Sequence, residues 1–156
     1  PIKEKLYFAA QGCGAYKIED NPVGQGISGL KNLITKATKL PSIKLKEEFV
    51  VVGSRSHMSA ETQEFINKLC KLHDKVEIVS AGSALKLCLV AEGVADVYPR
   101  FAPTMEWDTA ASHAIVRGAG GEIINIGTNE PLEYNKKDLL NPAFIAGNIQ
   151  SIQSLN

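Results

Sequence analysis

From residue 49 to residue 126 the sequence alternates apolar runs of strand length with helical stretches of about ten residues, and this alternation restricts the fold more than any other feature. Residues 49–52 are an apolar, β-branched run. Ser59 then caps a helix that carries Glu61 and Glu64 in its opening turns, where negative charge complements the helix dipole. Phe65, Ile66, Leu69, Cys70 and Leu72 mark the stripe that this helix is expected to bury. A strand at Val76–Ser80, a helix at 84–92 stopped by Gly93, and a strand at 95–100 follow. A third helix at 108–117 ends at Gly118, Gly120 and Gly121, and a strand at 122–126 comes next. Residues 134–141 are polar and loop-like, 144–147 form a short strand, and the last residues form a terminal helix. Helices between successive strands imply parallel pairing, so the expected fold class is α/β, with a mixed, largely parallel sheet covered by helices.

Ahead of this unit, strands at 5–9 and 15–18 joined by a turn with Gly12 and Gly14 read as a β-hairpin. Residues 19–45 are rich in turn formers and lysine and contain one helix, at 28–37, with Leu30, Leu33, Ile34 and Ala37 on one face; they read as a linker or insertion. The expected organisation is therefore a hairpin over 1–18, a linker or insertion over 19–45, and an α/β domain over 46–156.

A chain of 156 residues has room for one core. Its 17 basic and 17 acidic residues cancel, so no global field draws it to a nucleic-acid polymer. The apolar runs fall far short of the roughly 18–20 residues of a membrane helix, so no transmembrane segment is expected. Cys13, Cys70 and Cys88 are odd in number and form no C-x-x-C pair, which argues against a disulfide framework or a zinc site and for a reducing cytoplasm. Attachment at a membrane surface is left open. His57, His73 and His113 lack metal-ligand spacing.

In sheets with parallel strands, ligands sit at the carboxyl ends of strands beside helix N-termini. Three junctions qualify: Gly53-Ser54-Arg55-Ser56-His57, Ser80-Ala81-Gly82-Ser83, and the stretch from Pro99-Arg100 to Asp108. Helix capping by Ser59 and Ser83 explains the hydroxyls of the first two; backbone N–H groups receiving an anion explain them as well. Lys86 falls in the first turn of its helix, where a cation is disfavoured by ~0.3–1 kcal/mol, and it makes sense there if an anion binds. Arg55, His57 and Arg100 extend the pattern to a local basic pocket in a neutral chain. Asp108 is either an N-cap or a ligand for a divalent metal such as Mg²⁺, with Glu106 the nearest second carboxylate. Trp107 is expected in the core or a pocket wall, His73 and His113 to be structural or solvated, and Cys70 and Cys88 to be buried packing groups.

Trp107-Asp108-Thr109-Ala110-Ala111, with Ala119-Gly120-Gly121 closing the same helix, resembles a signature of the lithium-sensitive inositol monophosphatase superfamily. Gly82 to Gly93, Ala95-Asp96-Val97-Tyr98-Pro99-Arg100-Phe101, Ser54-Arg55-Ser56-His57 and Leu140-Asn141-Pro142 are similar to its 3′(2′),5′-bisphosphate nucleotidase branch, the CysQ type. The resemblance implies an Mg²⁺-dependent hydrolase that removes the 3′-phosphate of adenosine 3′,5′-bisphosphate to give AMP, in sulfate assimilation. It implies that Asp108 is a catalytic metal ligand that also contacts substrate. Ser54, His57, Gly82, Ser83 and Lys86 would lie near the nucleotide and Arg100 on the same pocket wall, while Arg55 joins them as a further cation. Ser112 departs from the usual glycine after the two alanines, at small cost because serine is nearly as small.

The superfamily's acidic cluster, resembling G-D-E-E, and its D-P-x-D-G-T segment do not occur in this sequence. The expectation is thus that residues 1–156 are the C-terminal portion of a longer phosphatase, starting in the last strands of its N-terminal half and inactive alone. An inositol or sugar monophosphatase of the same superfamily, and a non-catalytic nucleotide-binding domain, are the rival readings.

Overall fold

A computed structural model describes residues 5–19, 29–43, 46–53 and 58–153. The hairpin pairs β1 (Leu6–Ala10) with β2 (Gly14–Ile18) antiparallel. A helix α1 (Leu30–Lys36) and a two-residue strand β3 (Thr38–Lys39) follow, and β3 pairs with β2 to make a three-stranded sheet. Leu40, next in the chain, is buried in the main core, so the stretch read as a linker or insertion contributes both a strand and a core residue.

The larger unit contains β4 (Phe49–Gly53), α2 (Ala60–Leu72), β5 (Val76–Ser80), α3 (Leu85–Glu92), β6 (Val97–Arg100), β7 (Thr104–Met105), α4 (Glu106–Gly118), β8 (Gly121–Asn125), β9 (Leu140–Asn141), β10 (Phe144–Asn148) and α5 (Ile149–Gln153). Five strands form a sheet in the order β5-β4-β6-β10-β8, and β7 and β9 pair separately. The two pairings of β4 are parallel and the two of β10 antiparallel, so the sheet is mixed but less parallel than the sequence implies. The reason lies in the connection from β8 to β10, which has no crossover helix and returns the chain antiparallel.

Strand alternation assigns the two faces. Val51 and Val97 meet Ile66 and Leu69 of α2 on one side, whereas Val50, Val52 and Tyr98 meet Leu87 and Val90 of α3 and Val116 of α4 on the other. The three-stranded sheet packs outside α4, where Gly118 lies so close to Ala9 and Ala15 that an added Cβ would come within 3.1 Å of both. The layers are thus α2, large sheet, α3 with α4, and small sheet. No described helix is long and apolar enough to cross a membrane.

The stripe of α2 is narrower than expected. Cys70 is exposed and Leu72 is 60% exposed, because at about 100° per residue they fall on opposite flanks of the face centred on Ile66 and Leu69. Cys88 is buried, as expected. His73 ends α2 as its C-cap residue and stacks on Phe49, with centroids 4.0 Å apart.

The small sheet is tied to α3 by a charge. Glu92 is buried; it accepts the Tyr7 hydroxyl and pairs with Lys17 Nζ at 2.7 Å. Burial first, and then the Glu92 hydrogen bond and charge, hold the Tyr7 hydroxyl well above its ordinary pKa. Removing Glu92 leaves the Tyr7 hydroxyl without its acceptor and Lys17 with only the exposed Glu19, at 3.2 Å, as a counter-charge. Glu92→Ala is expected to cost about 3 kcal/mol, checked as a lowered urea midpoint with an unchanged m-value.

Candidate functional site

Parallel pairing brings the strand ends together. Gly53 at the end of β4 lies opposite Ser80 at the end of β5, and the Gly53 carbonyl accepts the N–H of Ala81 at 3.3 Å. β6 ends beside them at Arg100, and antiparallel β10 enters at the same edge, where Phe144 pairs with Arg100. Ser54, Arg55, Ser56 and His57 of the first junction lie outside the described residues.

The other two junctions open on one cleft of about 330 Å³, lined by Ser83, Lys86, Tyr98, Arg100, Thr104, Asp108 and Thr109 among others. Four of the residues singled out in the sequence, Ser83, Lys86, Arg100 and Asp108, therefore line one cleft. Gly82 does not line it, although it adjoins Ser83.

Local backbone geometry corrects two expectations. Ser83 does not cap α3: the helix is entered from Ala84 with no side-chain cap, and Ser83 itself has φ 48°, in the left-handed region. Asp108 is not the N-cap of α4 either. The helix starts two residues earlier, at Glu106, and Asp108 stands in its first turn with Oδ2 accepting the Met105 N–H at 2.9 Å. Trp107 is 66% exposed and belongs to neither the core nor the cleft wall, because helix rotation carries it away from its neighbour Thr109. His113 is structural: its ring is buried and bonded to Tyr134 Oη at 2.7 Å and to Glu122.

The cations of the cleft are unbalanced. Lys86 is 5% exposed; its Nζ reaches the Ala81 carbonyl at 3.4 Å and lies 5.3 Å from the Tyr98 ring centroid. Burial, and then the charge of Arg100, push its pKa below the usual lysine value. Arg100 donates to the Pro103 carbonyl at 3.2 Å, while its buried Nε has no partner among the described residues. Neither cation pairs with a carboxylate among those residues, which leaves donors and positive charge for an anion in the cleft.

The acidic side is sparse. Glu106 is turned away, accepting the N–H groups of Asn135 and Lys136 at 2.6 and 3.2 Å and pairing with Lys136 Nζ. The Lys136 hydrogen bond, outweighing partial burial, holds its carboxyl below the usual range. Among the described residues no three acidic, histidine or cysteine groups come together as a metal cage, so in the cleft the described residues offer a metal one carboxylate, Asp108, which does not fit a magnesium site by itself. Tyr98, Thr104, Thr109 and Asn141 lie in stretches that the sequence singles out but carry no site role there, because only tertiary packing brings Tyr98, Thr104 and Thr109 to the cleft and Asn141 against Thr109.

A profile of the inositol monophosphatase family matches residues 1–155, and the chain belongs to that family. Its similarity within the family is to the CysQ type. The chain is 39% identical over 145 residues to the 3′(2′),5′-bisphosphate nucleotidase CysQ of Shigella flexneri and 38% identical to that of Escherichia coli K12, covering 92% of this chain and 50% of each relative. The crystal structure of CysQ from Bacteroides thetaiotaomicron superposes with a TM-score of 0.90 at 52% identity, covering 95% of this chain and 55% of that one. Inositol monophosphatase II of Staphylococcus aureus, at 18% identity and a TM-score of 0.66, shares the fold. The chain spans about half the length of the curated relatives it matches.

A buried lysine that pairs with no carboxylate among the described residues is a source of instability. Lys86→Met is expected to raise stability by about 1 kcal/mol in the absence of ligand, measured by urea unfolding at neutral pH.

Proposed function

We propose that the cleft holds a phosphorylated nucleotide and that this chain is part of a phosphatase that removes the 3′-phosphate of adenosine 3′,5′-bisphosphate, giving AMP. The observation that carries the reading is the pair of uncompensated cations, Lys86 and Arg100, lining one cleft with Asp108. A ligand with two phosphates uses two such cations better than a polyol monophosphate does. The relatives named as bisphosphate nucleotidases support the same choice. In this reading the enzyme serves sulfate assimilation and nucleotide recycling in the cytoplasm, with Ser83 beside the nucleotide and Ser54, Arg55, His57 and Gly82 in the adjoining junctions.

The family is generally Mg²⁺-dependent, and a bound Mg²⁺ supplies charge stabilisation and an activated water. Asp108 provides one ligand; we propose that the remaining carboxylates belong to a preceding segment, the N-terminal half of a longer protein. Residues 1–156 alone are then expected to release no phosphate from adenosine 3′,5′-bisphosphate with Mg²⁺, measured by phosphate detection; release above background defeats this reading of the cage.

Nucleotide binding is tested separately from catalysis. In calorimetry or NMR titration, adenosine 3′,5′-bisphosphate is expected to bind the chain about tenfold more tightly than inositol 1-phosphate, with Lys86→Ala abolishing the difference. Equal affinities would favour an inositol or sugar monophosphatase. Because the charged form of Lys86 is disfavoured in the free chain, the preference is present below the lowered Lys86 pKa. It fades as pH rises through that value, earlier than an ordinary lysine would allow.

A further inference from the structure

We propose that Asn141 is a positioning residue for Asp108, an inference that rests on the reading of Asp108 as the carboxylate of the site. Pro142 disfavours helical backbone at the residue before it, and Asn141 accordingly lies extended in β9, directly across from Thr104 of β7. Its side chain is almost fully enclosed, at 5% exposure. Nδ2 donates to the Met105 carbonyl at 2.8 Å and approaches Thr109 Oγ1 at 3.0 Å and Thr104 Oγ1 at 3.2 Å. A carbonyl accepts only, so the amide nitrogen must be the end that faces Met105.

Met105 is the residue whose N–H donates to Asp108 Oδ2, at 2.9 Å. It is therefore held at both polar groups, its carbonyl by Asn141 and its N–H by Asp108. Thr109, on the other side of Asp108, is fixed by Asn141 and by donating to the Glu106 carbonyl at 3.2 Å. Asn141 thus grips the residues on either side of the carboxylate without touching it. Asp108 itself is exposed and has no ion pair among the described residues, so its direction depends on the Met105 N–H. The buried Oδ1 of Asn141 has no partner among the described residues. An unmet buried acceptor costs stability that an apolar residue of similar size would avoid, so what the side chain contributes is the donation from Nδ2.

The test is amide-hydrogen exchange by NMR on the 156-residue chain, with the Met105 amide compared with amides of β4 and β6 in the same sample. In Asn141→Leu the Met105 amide is expected to exchange about tenfold faster relative to those amides, with Asp108 side-chain couplings changing from one rotamer to an average. Tyr134→Phe removes a hydroxyl that bonds His113 and Thr109 but not Met105, and it is expected to leave the Met105 ratio unchanged. If Asn141→Leu does not fold, Asn141→Ser, too short to reach Met105, is read in the same way. An unchanged Met105 ratio, or acceleration shared equally by all amides, overturns the positioning role. Neither metal nor nucleotide enters this measurement, so its failure leaves the reading of the cleft standing, and failure of bisphosphate binding leaves the exchange result standing.

Discussion

The site depends on three strands running the same way. Because β5 and β6 both lie parallel to β4, all three reach their carboxyl ends at one edge, and the chain must turn there each time. Two of those turns lead into α3 and α4, which pack against the same sheet face and so present their first turns to one cleft. Lys86 and Asp108 lie in those first turns, and Arg100 ends the strand between them. Reversing β5 or β6 would send the residues that follow it to the opposite edge and dissolve the constellation, whatever side chains it kept.

Antiparallel β10 has a different use. It runs from the same edge in the opposite direction, so its first residue, Phe144, lines the cleft. Asn141 arrives by this route, three residues ahead of Phe144, and pairs through β9 with the short strand that leads into α4. The mixed character of the sheet thus supplies the cleft with its cations from parallel strand ends and its polar backing from the return strand.

This division also explains what the sequence reveals. The strands from β4 to β6, the helices between them, and the basic residues at their junctions are local patterns, visible in hydrophobic period, caps and charge. Lys86 stood out because its charge opposes the dipole of its own helix, a conflict contained in a few residues. Strands β3, β7 and β9 have two residues each and no period to detect; they exist because partners far along the chain hold them. Asn141 was visible only as part of the Leu140-Asn141-Pro142 resemblance, and its contacts with Met105 and Thr109 follow from tertiary pairing. Trp107 misled because its apolar bulk suggests burial, whereas its place on α4, beside a carboxylate that faces solvent, leaves it outside.

Charge balance in the cleft limits what can occupy it. Glu106 and Asp108 are two residues apart, yet Glu106 is neutralised by the 135–136 backbone and Lys136, while the charge of Asp108 is left open. Lys86 and Arg100 call for an anion, and an anion reaching them enters a space that Asp108 also lines. A phosphate and a carboxylate repel at contact distance in a partly enclosed site, so stable occupancy near Asp108 requires positive charge between them. A divalent cation meets that need only when several oxygen ligands hold it, and a single carboxylate holds one weakly. The geometry therefore offers an anion the two cations Lys86 and Arg100, and close to Asp108 it demands a compensating positive charge.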